Sequence, residues 1–220
     1  MRVITVFILI MISVFNTNGQ NSFDPQLKKQ LDSVWRSDQK YREILSNGIS
    51  DPVKNDSLAK AFNMPAKIVI ANLWKFQNSI DSSNLVFVEN IFQKYGYPGK
   101  SLVGAGTCEA AWNVIQHSNK IDKYIDLIKN AANKKELPFR LYAMMYDRYL
   151  VNNKKEQIYG SQVVMLHLKN GEIGWYVWPI KDPAKVNKLR KKGGFGKSVE
   201  ENAKSLDVDY RIIKMSDVKI

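Results

Sequence analysis

His117 is the residue in this sequence with most to offer chemically. An imidazole changes charge near neutral pH and serves as general acid or base, provided a carboxylate fixes its tautomer and raises its basicity. It follows Gln116 near the end of a stretch expected to be helical from Thr107, on one line with Ala110 and Val114. That line turns it toward the interior or its rim. Asp147 and Asp38 are the carboxylates available to orient it. Asp147 stands beside Arg148 in the apolar run from Phe139 to Val151, where charge is costly unless paired. Arg148, or Arg42 one turn beyond Asp38, would stabilise negative charge developing on a substrate. A purely structural ion pair of Asp147 with Arg42 or Arg148 is the plainer use of the same groups. Gln157, Tyr159 and Gln162 gather neutral donors and acceptors around Gly160, a set suited to an uncharged polyhydroxyl or amide ligand. A plain turn satisfying its own backbone is the alternative.

Other chemistries find little support. No G-x-S-x-G elbow supplies a nucleophile, so water would have to attack. Cys108 is the single cysteine; it allows no internal disulfide and reads as a packed residue. There are two histidines, no H-E-x-x-H and no paired cysteines, so neither a metal nor another cofactor is expected. The second histidine, His167, falls in a strand.

The elements that must position these residues are mostly helices. Asp24-Pro25 is an N-cap followed by an N1 proline. Leu27, Leu31, Val34, Tyr41 and Leu45 then recur at helical spacing to a stop at Gly48. Asp38 falls on that apolar stripe, with Arg42 within reach of it. Residues 51–65 read as a loop with a short helical turn. Ala66 to Ser79 reads as helix, although Ile68-Val69-Ile70 would also suit a strand. Asp81 reads as the cap of a further helix ending at Gly96. Helices are expected from Thr107 to about Ser118, then with Ile121, Tyr124, Ile125 and Ile128 inward, then from Pro138 to about Val151. Two β-rich segments flank Asn170-Gly171, a strong hairpin signal. A basic helix after Asp182-Pro183, an amphipathic stretch at Val199 to Leu206 and a strand at Tyr210 to Ile213 complete the chain. The fold class is therefore mainly α (α+β): a compact helical domain with a C-terminal β-hairpin and flanking short helices.

The quoted segments occur in an order that resembles a known bacterial family. Tyr95-Gly96-Tyr97-Pro98, Ser101-Leu102-Val103-Gly104, Gln116-His117, Asp147-Arg148 and Gln157-Ile158-Tyr159-Gly160-Ser161-Gln162 together resemble DUF6624 over roughly residues 30–195. The family pattern runs G-W-P, Q-H-A-D, D-R and Q-x-Y-G-T-Q. Here Tyr97 replaces Trp, Ser161 replaces Thr, and Ser118-Asn119 replaces Ala-Asp, which removes a carboxylate beside His117. The resemblance names relatives and implies no particular activity.

Composition sets the wider frame. Arg2, the 13-residue apolar run from Val3 to Phe15 and the small Thr17 and Gly19 follow the order of a cleavable export signal. The run is shorter than the roughly 20 residues that cross a bilayer. Residues 1–19 are thus expected to be a signal peptide and 20–220 one domain, exported to the periplasm or beyond, with no membrane span after cleavage. The net charge of +12, one less without Arg2, favours anionic or polyhydroxyl cell-envelope ligands. No aromatic-interleaved basic motif points to nucleic acid. Two functions fit: metal-independent hydrolysis of a cell-wall glycan or peptide in a polar pocket, or non-catalytic binding of a glycan, wall fragment or protein partner, helped by exposed Trp175, Tyr176 and Trp178.

Overall fold

The computed structural model describes residues 23–46 and 52–219. The leader expected at 1–19 and the helix stop expected at Gly48 lie outside the described residues. Helix α1 spans Pro25–Gln39, and the Asp24 carboxylate accepts the N–H groups of Gln26 and Leu27 at its start. Leu27, Leu31, Val34 and Asp38 form its buried edge. The single helix expected from Asp24 to Gly48 is instead broken at Lys40-Tyr41, and α2 begins afresh at Arg42–Ser46. The cause is Gln77, fully buried on a later helix. Its side-chain amide accepts from the Tyr41 N–H and donates to the Asp38 carbonyl. A side chain thereby takes up backbone groups at the break.

Helix α3 spans Pro52–Ala61, where the sequence reads mainly as loop, and α4 runs unbroken over Ala66–Tyr95. Asp81 lies in the middle of α4 and caps nothing. The Ser82 and Ser83 hydroxyls bond back to the carbonyls of Asn78 and Ser79, which lets these cap-prone residues remain helical. A short α5, Lys100–Val103, and a 3-10 turn, Thr107–Glu109, lead into α6, Ala110–Gln116. The Thr107 hydroxyl donates to Asp32 at 2.6 Å, tying this turn to α1 rather than capping α6.

α6 is only two turns long, yet Ala110 through Ile115 are all buried. It forms the centre of a core that draws Val34 from α1, Val88 and Phe92 from α4, and the apolar faces of α7, Ile121–Asn133, and α8, Phe139–Asn152. The Trp112 indole N–H donates to the Leu141 carbonyl and fixes α6 against α8. Full burial on every side explains why so short a helix holds its place, since isolated helices of this length do not persist.

The C-terminal part is smaller. Strands β1, Val163–His167, and β2, Ile173–Val177, pair antiparallel with Val163 opposite Val177 and His167 opposite Ile173. The turn falls at Asn170-Gly171 as the sequence indicates, with Gly171 at φ +96°. Helices α9, Val186–Lys192, and α10, Val199–Lys204, pack with Val177, Ile180 and Val208 in a second cluster. Tyr210 to Ile213 is not a strand. Leu168 bridges to Val218 instead, and the Ile213 side chain joins Leu166, Leu168 and Trp178 in a third cluster. Trp178, expected to be exposed, is therefore buried; its indole N–H donates to the Lys155 carbonyl. Among the described residues, no helix is long and apolar enough to cross a membrane. The fold is mainly α with a two-stranded hairpin, as expected.

The Asp32 link gives a test of how α1 is held. The Lys28 ammonium and the Thr107 hydroxyl hold the Asp32 carboxyl below the usual carboxylate range. A carboxyl depressed in this way contributes stability that is complete above its unfolded value of about 3.9 and lost as pH falls through the lower folded value. The difference in urea midpoint between the wild type and Asp32→Asn is expected to stay constant from about pH 7 to about pH 5 and to close toward about pH 2. A difference that widens on acidification would contradict this role.

Candidate active site

Asp38 and His117 meet across the α1–α6 contact. Nδ1 of His117 stands 3.3 Å from both Oδ1 and Oδ2 of Asp38. The carboxylate is 1 % exposed and the imidazole 20 % exposed, so the acid lies beneath and the base faces outward. An ionised carboxylate can only accept, which assigns the hydrogen to Nδ1 and leaves Nε2 as the open acceptor. The Gln116 side-chain amide lies 3.5 Å from that Nε2, a long contact, while donating to Asn113 at 3.2 Å. His117 is the C-cap residue of α6, its N–H bonded to the Asn113 carbonyl. The rigid core helix therefore fixes where the ring begins.

Asp38 is held in turn. The Gln39 amide donates to Oδ2 at 2.7 Å, and Arg42 Nε lies 3.8 Å from the same oxygen. The latter is an electrostatic contact without a hydrogen bond. Arg42 reaches past Asp38 to Asp81 on α4, with Nη2 against the Asp81 carboxylate, and the Gln77 amide supports that acid at 2.7 Å. Ser37 and Asn84 pair at 3.2 Å in the same layer. Gln77, Asp81 and Asn84 thus form a polar band within the stripe that runs from Leu73 to Val88. Asp81 is the residue that sequence reasoning misplaced. Its spacing from Gln77 and Asn84, in step with Leu73 and Val88, is the signal that shows it on the buried edge of a continuous helix.

Asp147 has a different role from that expected. It is fully buried, and its two oxygens accept the backbone N–H groups of Ile158, Tyr159 and Ser161 and the Ser161 hydroxyl at 2.8–3.2 Å. Burial pushes its carboxyl above the usual range, against these donors, which favour the anion. Arg190, 2 % exposed, grips the opposite pole of the same turn, donating to the Tyr159 carbonyl at 2.7 Å and toward that of Gly160 at 3.4 Å. Gln157 is also fully buried. Its amide donates to the carbonyls of Gln162 and Trp178 and accepts the Gln162 N–H. The Tyr159 ring stacks on Phe195 at 5.8 Å between centroids. Asp147, Gln157 and Tyr159, proposed from sequence as an orienting acid and ligand-binding groups, are thus engaged in holding the 157–162 turn. For Asp147 and Gln157 the reason is burial, since each would have to abandon internal partners to meet a ligand; half-buried Tyr159 is held through its backbone and its ring contact with Phe195.

Arg148 and Gln162 face the other way. Arg148 donates from Nη1 to the Gln116 carbonyl at 2.9 Å and from Nε to Gln162 Oε1 at 3.2 Å. The Gln162 amide also donates to Ser161 and to the Met144 carbonyl. A continuous path of contacts therefore runs Asp81–Arg42–Asp38–His117–Gln116–Arg148–Gln162. Cavities of about 520 and 450 Å³ lie elsewhere, the first beside Trp35 and Thr107, the second beside Arg211 and Asp217. Their linings contain none of these residues. Convergent polar groups of complementary kinds, rather than volume, mark the place where a proton could be moved. Among the described residues, no three His, Cys, Asp or Glu side chains gather as a metal site requires. His167 is exposed on β1, and burial raises the Cys108 thiol.

The turn gives a direct test of this division of labour. Asp147→Asn replaces an acceptor of several N–H groups with an amide that presents one oxygen, and is expected to cost about 2–4 kcal/mol. Gly160 has φ +62°, and a Cβ there would stand 2.7 Å from Val199 Cγ2 and 2.9 Å from Ile180 Cδ1; Gly160→Ala is expected to cost about 1–3 kcal/mol in strain. Urea unfolding measures both. Wild-type stability in either variant would remove the turn's structural role.

Comparison with curated proteins and with solved structures returned no match. The profile of a family of unknown function, DUF6624, matches residues 37–215. That range contains Asp38, Asp81, His117, Arg148 and Gln162, together with the turn that positions the last two. The chain belongs to the DUF6624 family.

Proposed function

We propose that this chain is an exported, metal-independent hydrolase in which His117 takes a proton from water, Asp38 orients the imidazole, and Arg148 steadies negative charge building on the substrate. The observation that carries this reading is the 3.3 Å approach of His117 Nδ1 to both oxygens of the buried Asp38. It leaves Nε2 as the basic nitrogen on the open side. A general base contributes about 10²–10⁴-fold, and a donor aimed at a developing oxyanion about 10²–10³-fold. These factors suit a modest hydrolase working without a covalent intermediate.

The carboxylates narrow the bond that is cleaved. Glycoside hydrolysis ordinarily needs two acids free to act on opposite sides of the bond. Here Asp38 and Asp81 share Arg42 and are not independent. An acyl bond, as in a wall peptide or an ester, fits a single base beside an arginine better than a glycosidic bond does. The leader expected at residues 1–19 and the basic charge support a cell-envelope location for that substrate. Binding of a wall fragment without cleavage is the second reading. It is favoured by the outer face of the hairpin, where Trp175 is 59 % exposed opposite Met165 and beside Ile173, a contact surface held in water.

Two measurements test the catalytic reading. Turnover of wall peptides or activated esters is expected to fall about 10²–10⁴-fold in His117→Ala and to fall markedly in Asp38→Asn, with Trp175→Ala unaffected. Nitrogen NMR of the neutral ring is expected to find the Nδ1–H tautomer at His117. Hydrolysis that survives His117→Ala, or a ring protonated on Nε2 when neutral, would defeat the assignment.

A further inference from the structure

We infer that the ligand of this site carries a full negative charge before any reaction begins, and that Arg148 is the receptor for its oxyanion. This inference rests on the reading of His117 and Asp38 above, and it names the class of substrate: one with a carboxylate or phosphoryl group next to the bond that His117 addresses.

Arginines elsewhere in the fold are set against carboxylates. Arg42 lies between Asp38 and Asp81, Arg140 faces Glu109, and Arg211 faces Glu172. Buried Arg190 has Asp147 across the turn they share, and that acid offsets part of the cost of its burial. Arg148 is half-buried and, among the described residues, has no such counterpart. Among the described residues its hydrogen-bond partners are neutral, the Gln116 carbonyl and the Gln162 amide oxygen. Burial lowers the guanidinium from its ordinary value with no acidic group opposing it.

A partly desolvated cation without a counter-ion is unfavourable by itself. The tie to Gln116 caps the end of α6 and accounts for one N–H; Gln162 accounts for a second. A guanidinium has five N–H donors in a planar fork, so donors remain for a further acceptor. Carboxylate and phosphoryl oxygens match that fork best and supply the missing charge.

Position links this cation to the base. Gln116 offers its carbonyl to Arg148 and its side-chain amide to the neighbourhood of His117 Nε2. The guanidinium is thereby tied to the residue that precedes the imidazole. The Gln116 amide, which gives one N–H to Asn113, is the neutral group beside it, while the Gln162 amide is already committed to Ser161, Met144 and Arg148.

The test is a titration of the purified chain followed by proton–nitrogen NMR of the arginine Nε–H and histidine ring signals. The probes are inorganic phosphate and sodium acetate, each compared with sodium chloride at equal ionic strength. A saturable shift at Arg148, Gln116 and His117 with phosphate or acetate, absent with chloride, is the expected result. The tighter of the two ions identifies the phosphoryl or the carboxylate source. Arg148→Gln is expected to weaken that binding by about tenfold or more. Because that variant also loses the tie between α6 and α8, the wild-type map decides by itself. Absence of a saturable response to both ions, or a response centred on the exposed lysines Lys188, Lys191 and Lys192 instead, overturns the inference. His117→Ala separates this inference from the catalytic reading. Anion binding that persists without turnover supports both. Turnover that depends on His117 in a protein indifferent to both ions removes the charged ligand and leaves the base in place.

Discussion

Asp147 and Arg190 hold the turn at 158–161 from its two poles, and the rest of the site depends on that clasp. Each charge is almost fully removed from water, a transfer that costs several kcal/mol per ion unless dipoles replace the lost hydration. The turn supplies those dipoles. Its N–H groups converge on the carboxylate and its carbonyls on the guanidinium. The dependence is mutual: the charges are tolerated because the turn solvates them, and the turn is fixed because releasing it would strand two buried ions. Gly160 permits the path, with a positive φ and no room for a Cβ between Val199 and Ile180. The clasp joins α8 to the hairpin region and to α9, and it delivers Gln162 to Arg148.

This arrangement also explains why adjacent residues in one motif have opposite fates. Successive residues on a helix point about 100° apart, so Asp147 and Arg148 cannot share an environment. Asp147 turns into the junction with the C-terminal part. Arg148 turns toward the end of α6. A motif containing both reads as one ion pair when taken as sequence, whereas in three dimensions it is one framework anion and one cation tied to the carbonyl at the end of α6.

The legible parts of the fold were those encoded locally. Asp38 stood out because it occupied an apolar position in a regular stripe, and His117 because it prolonged the buried line of α6. The hairpin was marked by Asn170-Gly171, and α7 by its spacing of apolar residues. What escaped depended on partners distant in the chain. The break at Lys40-Tyr41 is made by Gln77, and nothing near Tyr41 announces an amide arriving from another helix. Asp81 followed by two serines looks like a helix start, but the serine hydroxyls turn back to preceding carbonyls and the buried edge from Leu73 to Val88 runs on through the segment. Gln157 and Tyr159 have the right groups for binding, but side-chain type does not reveal whether those groups face solvent or the protein's own backbone. Trp178 was misread for a related reason: strand alternation says nothing about a residue just past the strand, where the chain bends into the core.

The position of His117 at the C-cap of a buried helix meets two competing needs of the proposed general base. A base must be held firmly enough to keep one tautomer, yet its working nitrogen must reach solvent. Within α6 the first condition would hold and the second fail, since every residue from Ala110 to Ile115 is enclosed. On a free loop the reverse would apply. The C-cap satisfies both, because its backbone N–H still bonds into the helix while its side chain leaves the core beside Asp38. The polar band from Gln77 to Asn84 completes the logic. It lets α1 end, and so present Asp38, at the level where α6 ends and presents the imidazole. Had α1 continued as one unbroken helix, Tyr41 would have had no need of Gln77, and Gln77 could not have held the Asp38 backbone in place. The irregularity in α1 is therefore part of what builds the dyad.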